Sequence, residues 1–195
     1  MPGTVGDDMA VLDRFLERLF AASLWLAALH LIAIAVLVGA QVLGRVTDKT
    51  LLLIGLEPIN FVILSLAEIA GYLLAGASFL ALGGTFKAGS HIRVTMLLQT
   101  LRGPLRHALE LAALTVAFAF ACFMSFYTLR LVLKSWQHGD VSVGVYAIPL
   151  WLPQATMAAG AVILALAVAH EFAFTLKHGK TSFSGRESEV SLANE

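Results

Sequence analysis

From Ile59 to Phe86 the chain runs for 28 residues with one acid, Glu68, and no base. A run of that length exceeds what a buried helix of a water-soluble domain needs. It matches the ~20 or more apolar residues required to cross a ~30 Å hydrocarbon core. Three further runs have the same character: Leu19 to Leu43, Ala108 to Leu133 and Leu150 to Leu176. All four are too long and too evenly apolar for the alternating strands of a barrel, and a backbone inside lipid must satisfy its own hydrogen bonds. The fold class expected is therefore an all-α integral membrane protein with four transmembrane helices at about 19–43, 59–86, 108–133 and 150–176.

Composition agrees, with 58% hydrophobic and 13% charged residues and a mean hydropathy of +0.83, far from the averages of soluble domains. Four spans take up most of the 195 residues, so a single membrane domain, 1–195, is expected, with the polar tail at about 179–195 disordered. The acidic opening MPGTVGDD and a first apolar run longer than a signal-peptide core mark the first run as a retained span.

Two amphipathic segments flank the spans. Val11, Leu12, Phe15, Leu16, Leu19 and Phe20 alternate in pairs with Asp13, Arg14, Glu17 and Arg18, which predicts an interfacial helix at about 9–20 leading into the first span. After the second span, Val94, Leu97, Leu98, Leu101 and Leu105 recur at helical spacing among Arg93, Arg102 and Arg106. That pattern predicts a second surface-lying helix at about 91–102, stopped by Gly103 and Pro104. On the opposite side, Leu51 to Leu56 and Val141 to Leu150 are apolar but too short to span, and Trp136, Tyr146 and Trp151 suit an interface.

Nine Lys and Arg residues fall on the side of the termini and the 87–107 connector. Four, Arg45, Lys49, Arg130 and Lys134, fall on the other. The positive-inside rule then places both termini in the cytoplasm of a multi-pass membrane protein. In the basic connector, His91, Arg93, Arg102 and Arg106 are candidates for contact with anionic lipid headgroups or a partner.

The formal charge of zero, 13 basic against 13 acidic residues, gives no basis for nucleic-acid binding. The lone Cys122 allows neither a disulfide framework nor a thiolate metal cluster. Neither a phosphate-cradling glycine loop nor a catalytic constellation can be picked out, so catalytic, substrate-binding and metal residues, and a cofactor, are not expected.

The intramembrane polar residues are the candidates for a site. Glu68 and His30 come out at similar depth, about 14 and 16 Å from the ends of their spans at ~1.5 Å per residue, so His30 could donate to the carboxylate. Arg130, whose long side chain could reach inward, is the rival partner. Small residues form stripes, Ala67, Gly71, Ala75 and Ser78 on the second span and Ala161, Ala165 and Ala169 on the fourth, that would let helix backbones approach closely. A different reading is a haem-bearing electron-transfer subunit with His30 and His170 as axial ligands, although about 7 Å of depth separates the two.

The order of Glu68 in span two, GSHIRV (Gly89 to Val94) at its exit, a basic amphipathic connector, and IPLW (Ile148 to Trp151) opening span four resembles the small, Q-type membrane subunit of tripartite ATP-independent periplasmic (TRAP) transporters. Where members often carry a Pro-x-Gly turn within span four, this chain has Met157 to Gly160, and Thr95 stands where an acid often follows HIRV. The resemblance implies a non-enzymatic scaffold in a bacterial inner membrane. Its partners would be a large membrane subunit that carries a small organic acid, with sodium as the coupling ion, and transiently a periplasmic binding protein that delivers the substrate.

Overall fold

The computed structural model describes residues 4–88 and 104–178. They form four α-helices: α1 (Thr4–Leu53), α2 (Leu66–Lys87), α3 (Pro104–His138) and α4 (Trp151–His178). Each contains a stretch long and apolar enough to cross a membrane, and no strand is present among the described residues. The chain is an all-α, multi-pass membrane protein. The connector carrying His91, Arg93 and Arg102, with its expected surface helix, and the 179–195 tail lie outside the described residues.

The helices pack in the order α1–α2–α4–α3, with α1 touching α4 only slightly, so the array is open rather than a closed four-helix bundle. Short connections at 54–65 and 139–150 define a loop end; the start of α1 and the end of α4 define a terminal end. Leu16 and Phe20 of α1 meet Ala167 of α4 near the terminal end, with Phe86 and Ile163 against them. Ala27 of α1 meets Ala77 and Leu80 of α2 further along.

α1 departs from the expected division into an interfacial helix and a separate span. It is one helix of 50 residues, about 75 Å at ~1.5 Å per residue, because nothing from Thr4 to Leu53 breaks it. Of its amphipathic start, Leu16 and Phe20 are buried while Val11 and Phe15 stay exposed.

α2 begins seven residues later than the apolar run does, at Leu66 rather than Ile59. The run is mostly apolar from its start, but its first part folds back along the end of α1. Asp48 accepts the backbone N–H groups of Ile59 and Asn60 at 2.8 and 3.1 Å, and Gln41 accepts that of Ile63 at 2.6 Å. The ring of Phe61 lies against Gly44, where a Cβ would come within 2.5 Å of its Cδ1. Side chains of α1 thus supply acceptors for three backbone N–H groups of this non-helical segment. Ser65, left-handed at φ 57°, turns the chain into α2.

α2 and α4 run parallel in a constant register. Gly76 faces Thr156, Gly160 faces the backbone of Phe79 and Leu80, and Gly83 faces Ile163. A Cβ on Gly160 would run into the Phe79 backbone, and one on Gly83 would come within 2.6 Å of the Ile163 side chain. Glycine is what allows these two helices to approach so closely. The stripe expected on α2 is out of phase with this contact. Ala67, Gly71 and Ser78 are exposed, and a Cβ on Gly71 would meet nothing within 4 Å. On α4 the expected stripe is nearer the mark, with Ala161 fully buried and Ala165 and Ala169 partly so.

Candidate functional site

Several polar residues of the membrane helices gather at two joints, one at each end of the α2–α4 pair. At the loop end the 139–150 connection is a tight hairpin. Gly139, at φ 64°, takes the chain out of α3, Ser142 N–H donates to the Ile148 carbonyl at 2.9 Å, and Leu150 N–H donates to the Asp140 carbonyl at 2.9 Å. The Ser142 hydroxyl donates to the Tyr146 carbonyl at 3.0 Å and accepts from Ile148 N–H at 3.2 Å. Ile148 and Pro149 of the IPLW segment therefore form one arm of this hairpin, paired with 141–142, and its Trp151 opens α4 edge-on to Trp136, ring centres 4.7 Å apart.

The tip of the hairpin sits on the start of α2. Ser65 Oγ accepts from Val145 N–H at 2.9 Å and more weakly from Tyr146 N–H at 3.4 Å. Gly144 lies directly against Glu68 Oε2, so that any Cβ there would collide with the carboxylate. The other oxygen, Oε1, accepts the Tyr72 hydroxyl at 2.9 Å, while Oε2 is buried without a hydrogen-bond partner among the described residues.

Glu68 is thus not the mid-span carboxylate that its place in the apolar run implies. It lies in the first turn of α2, where the helix dipole favours a negative charge. Among the described residues no hydrogen bond or ion pair links it to His30 or Arg130. His30 sits beside Gly76, where a Cβ would come within 3.2 Å of its ring, and its Nδ1 hydrogen-bonds the Leu26 carbonyl at 2.8 Å. Gly76 is eight residues along α2 from Glu68, about 12 Å. The depth match failed because it counted from Ile59, and the segment before Leu66 is not helical. Arg130 stays on the exposed face of α3, its guanidinium 5.8 Å from the centre of the Phe126 ring.

At the terminal end, Asp13, Lys87 and His170 join three helices. His170 Nε2 lies 2.8 Å from Asp13 Oδ1 and its Nδ1 lies 3.4 Å from Lys87 Nζ. With a carboxylate on one nitrogen and an ammonium on the other, the neutral tautomer protonated on Nε2 serves both contacts. These three residues, with Leu16, Phe20 and Phe174, border a cavity of about 130 Å3. Sequence reasoning passed over Asp13 and Lys87 because each is an ordinary helix-end charge; only the meeting of three helices makes them a joint. Arg106 lies in the first turn of α3.

The haem alternative does not survive this geometry. His170 contacts Asp13, while His30 lies 17 residues further along the same helix as Asp13, about 25 Å away. Two imidazoles so separated cannot share one iron.

No curated protein matches the chain. A family model described as the DctQ component of tripartite ATP-independent periplasmic transporters matches residues 34–178, which covers α2, α3, α4 and the latter part of α1. Four membrane helices, an acid-bearing α2 capped by the IPLW hairpin, and this match over most of the sequence agree, and the chain belongs to the DctQ family of TRAP transporter components.

Proposed function

We propose that this small permease subunit braces the large membrane subunit of its transporter, which performs sodium-coupled uptake of a small organic acid handed over by a periplasmic binding protein. One observation carries the reading. Several polar side chains of the membrane helices fasten helix to helix or loop to helix: Gln41 and Asp48 to the 59–63 segment, Ser65 by hydrogen bond and Glu68 by packing to the hairpin, Asp13 and Lys87 to His170. Such groups give rigidity and register rather than a ligand cage. The chain has no catalytic role in this reading.

The basic bias supports an inner-membrane orientation with both termini in the cytoplasm and the hairpin outside. His91, Arg93, Arg102 and Arg106 then face the cytoplasm, where they meet anionic headgroups or the large subunit.

The test is reconstitution. Proteoliposomes holding this chain alone should show no sodium-dependent uptake, and adding the large subunit and loaded binding protein should restore it. Uptake by the isolated chain refutes the bracing role. Labelling of a cysteine placed at His91 by an impermeant reagent in intact cells refutes the orientation.

A further inference from the structure

Ser65, Leu66, Ala67 and Glu68 spell the S-x-x-E pattern of a capping box at the start of α2. In that motif the hydroxyl of the first residue accepts the N–H of the fourth, and the side chain of the fourth reaches back to the N–H of the first. Among the described residues neither bond is made. Glu68 N–H donates to the Ser65 carbonyl at 3.0 Å instead. Ser65 Oγ is taken by the hairpin, through Val145 N–H at 2.9 Å, and the carboxylate is turned to the Tyr72 hydroxyl.

Two features of this arrangement are unfavourable. Ser65 is held left-handed, at φ 57° and ψ 21°, where a capping serine takes extended backbone. Glu68 Oε2 lies bare and buried against Gly144. A buried polar atom without a partner is costly, and more so when it belongs to a charged group. One movement relieves both. If the hairpin tip lifts from α2, Ser65 can relax to extended backbone and the box can close, with its hydroxyl on Glu68 N–H and the freed carboxylate on Ser65 N–H.

We propose that the 139–150 hairpin is a releasable latch on α2, shut while Ser65 and Glu68 face it and open when the same two side chains cap the helix. The two sets of partners exclude each other, which makes the joint two-state rather than merely loose. The hairpin can move as a unit, since the bonds from Ser142 N–H to Ile148 and from Leu150 N–H to Asp140 lie within it. Its tip has little other hold, with Val143, Val145 and Tyr146 all exposed. The latch is independent of the bracing role.

The test is residue-resolved amide hydrogen exchange, followed by NMR on the full chain in detergent micelles. In the parent, Val145 N–H should be protected at least about tenfold less than Ser142 and Leu150 N–H, and its exchange should be nearly insensitive to low denaturant, the mark of local opening. Glu68→Met with Tyr72→Phe keeps the bulk, removes the bare oxygen and the cap, and strands no hydroxyl. Exchange at Val145 should then slow by at least about fivefold. A Glu68 that only fastens the hairpin gives the opposite result. Gly144→Ala should speed exchange at Val145 by at least about fivefold and leave Ser142 and Leu150 within about twofold of the parent. Unchanged or faster exchange in the Glu68→Met, Tyr72→Phe chain overturns the latch. So does a parent in which Val145 N–H exchanges only through global unfolding, at the rate of core amides such as that of Ala161, and this measurement decides the matter if a variant does not fold.

Discussion

The α2–α4 pair and α1 are attached to the rest of the molecule by different means. α2 and α4 lie in parallel with Gly76, Gly83 and Gly160 at the contact, so backbone approaches backbone over several turns. α1 is more than twice as long as α2, and much of it is exposed. It is tied by polar contacts near its ends, Asp13 to His170 at one and Gln41 and Asp48 to the returning loop at the other, with Leu24 and His30 seated against Gly84 and Gly76 between them. Lipid tails are as apolar as leucine, so burial gives little drive to bring helices together in a membrane. Close dispersion contact and internal hydrogen bonds remain. α2 and α4 rely chiefly on the first, and α1 leans on the second.

That contrast breaks most sharply at Gly160. Gly160→Leu should cost about 3 kcal/mol, because the side chain must displace the Phe79 backbone, which has no flexible end to give way. Gly71→Leu, at a position open to the surroundings, should stay within about 0.5 kcal/mol. Thermal unfolding in detergent compares the two. Equal loss at both positions would mean that α2 and α4 do not meet at Gly160.

The hairpin joint should rank next. Gly144→Ala pushes against the Glu68 carboxylate, and a cost of about 1–3 kcal/mol is expected from overpacking. Glu68→Ala removes the obstacle, so the double variant should be less damaged than the two single costs predict, with a coupling of about 0.5–3 kcal/mol. Simple additivity would show that hairpin and carboxylate are not in contact.

Glu68 itself separates shape from hydrogen bonding. Glu68→Gln keeps an acceptor for the Tyr72 hydroxyl and should retain assembly with the large subunit. Glu68→Leu strands that hydroxyl at a cost of about 1–3 kcal/mol. Yield of the complex is the readout. If Glu68→Gln assembles normally but abolishes uptake, Glu68 has a direct part in ion coupling.

The smallest effect belongs to α1. Asp13 is 53% exposed, so Asp13→Ala should cost only about 0.2–1 kcal/mol, and less in high salt. Its melting point against salt concentration measures this. A loss as large as that of Gly160→Leu would show that α1 is held as firmly as the central pair.

Particular residues show how far a sequence reading reaches. Hydrophobic run length located four spans, because crossing a bilayer imposes a length that no other requirement imitates. Run length could not locate the start of α2. Ile59 to Ser65 are mostly apolar like the residues that follow, yet Asn60 and Ser65 take left-handed φ values and Gln41 and Asp48 on another element hold the segment's N–H groups. The phase of the glycine contact was equally hidden. Gly71 and Ala75 form as plausible a stripe as Gly76 and Gly83, and only the direction from which α4 approaches chooses between them.

By itself, then, the sequence determined the class, the count and rough position of the membrane helices, and the family, since each depends on local composition or on motifs such as GSHIRV and IPLW. The tertiary structure alone decided which polar groups meet. Glu68 faces a hairpin 76 residues away rather than His30, and Asp13 faces His170. Inside a membrane a polar side chain takes whichever partner packing brings within about 3 Å. Packing is settled by helix register, and apolar runs of near-uniform character leave register open.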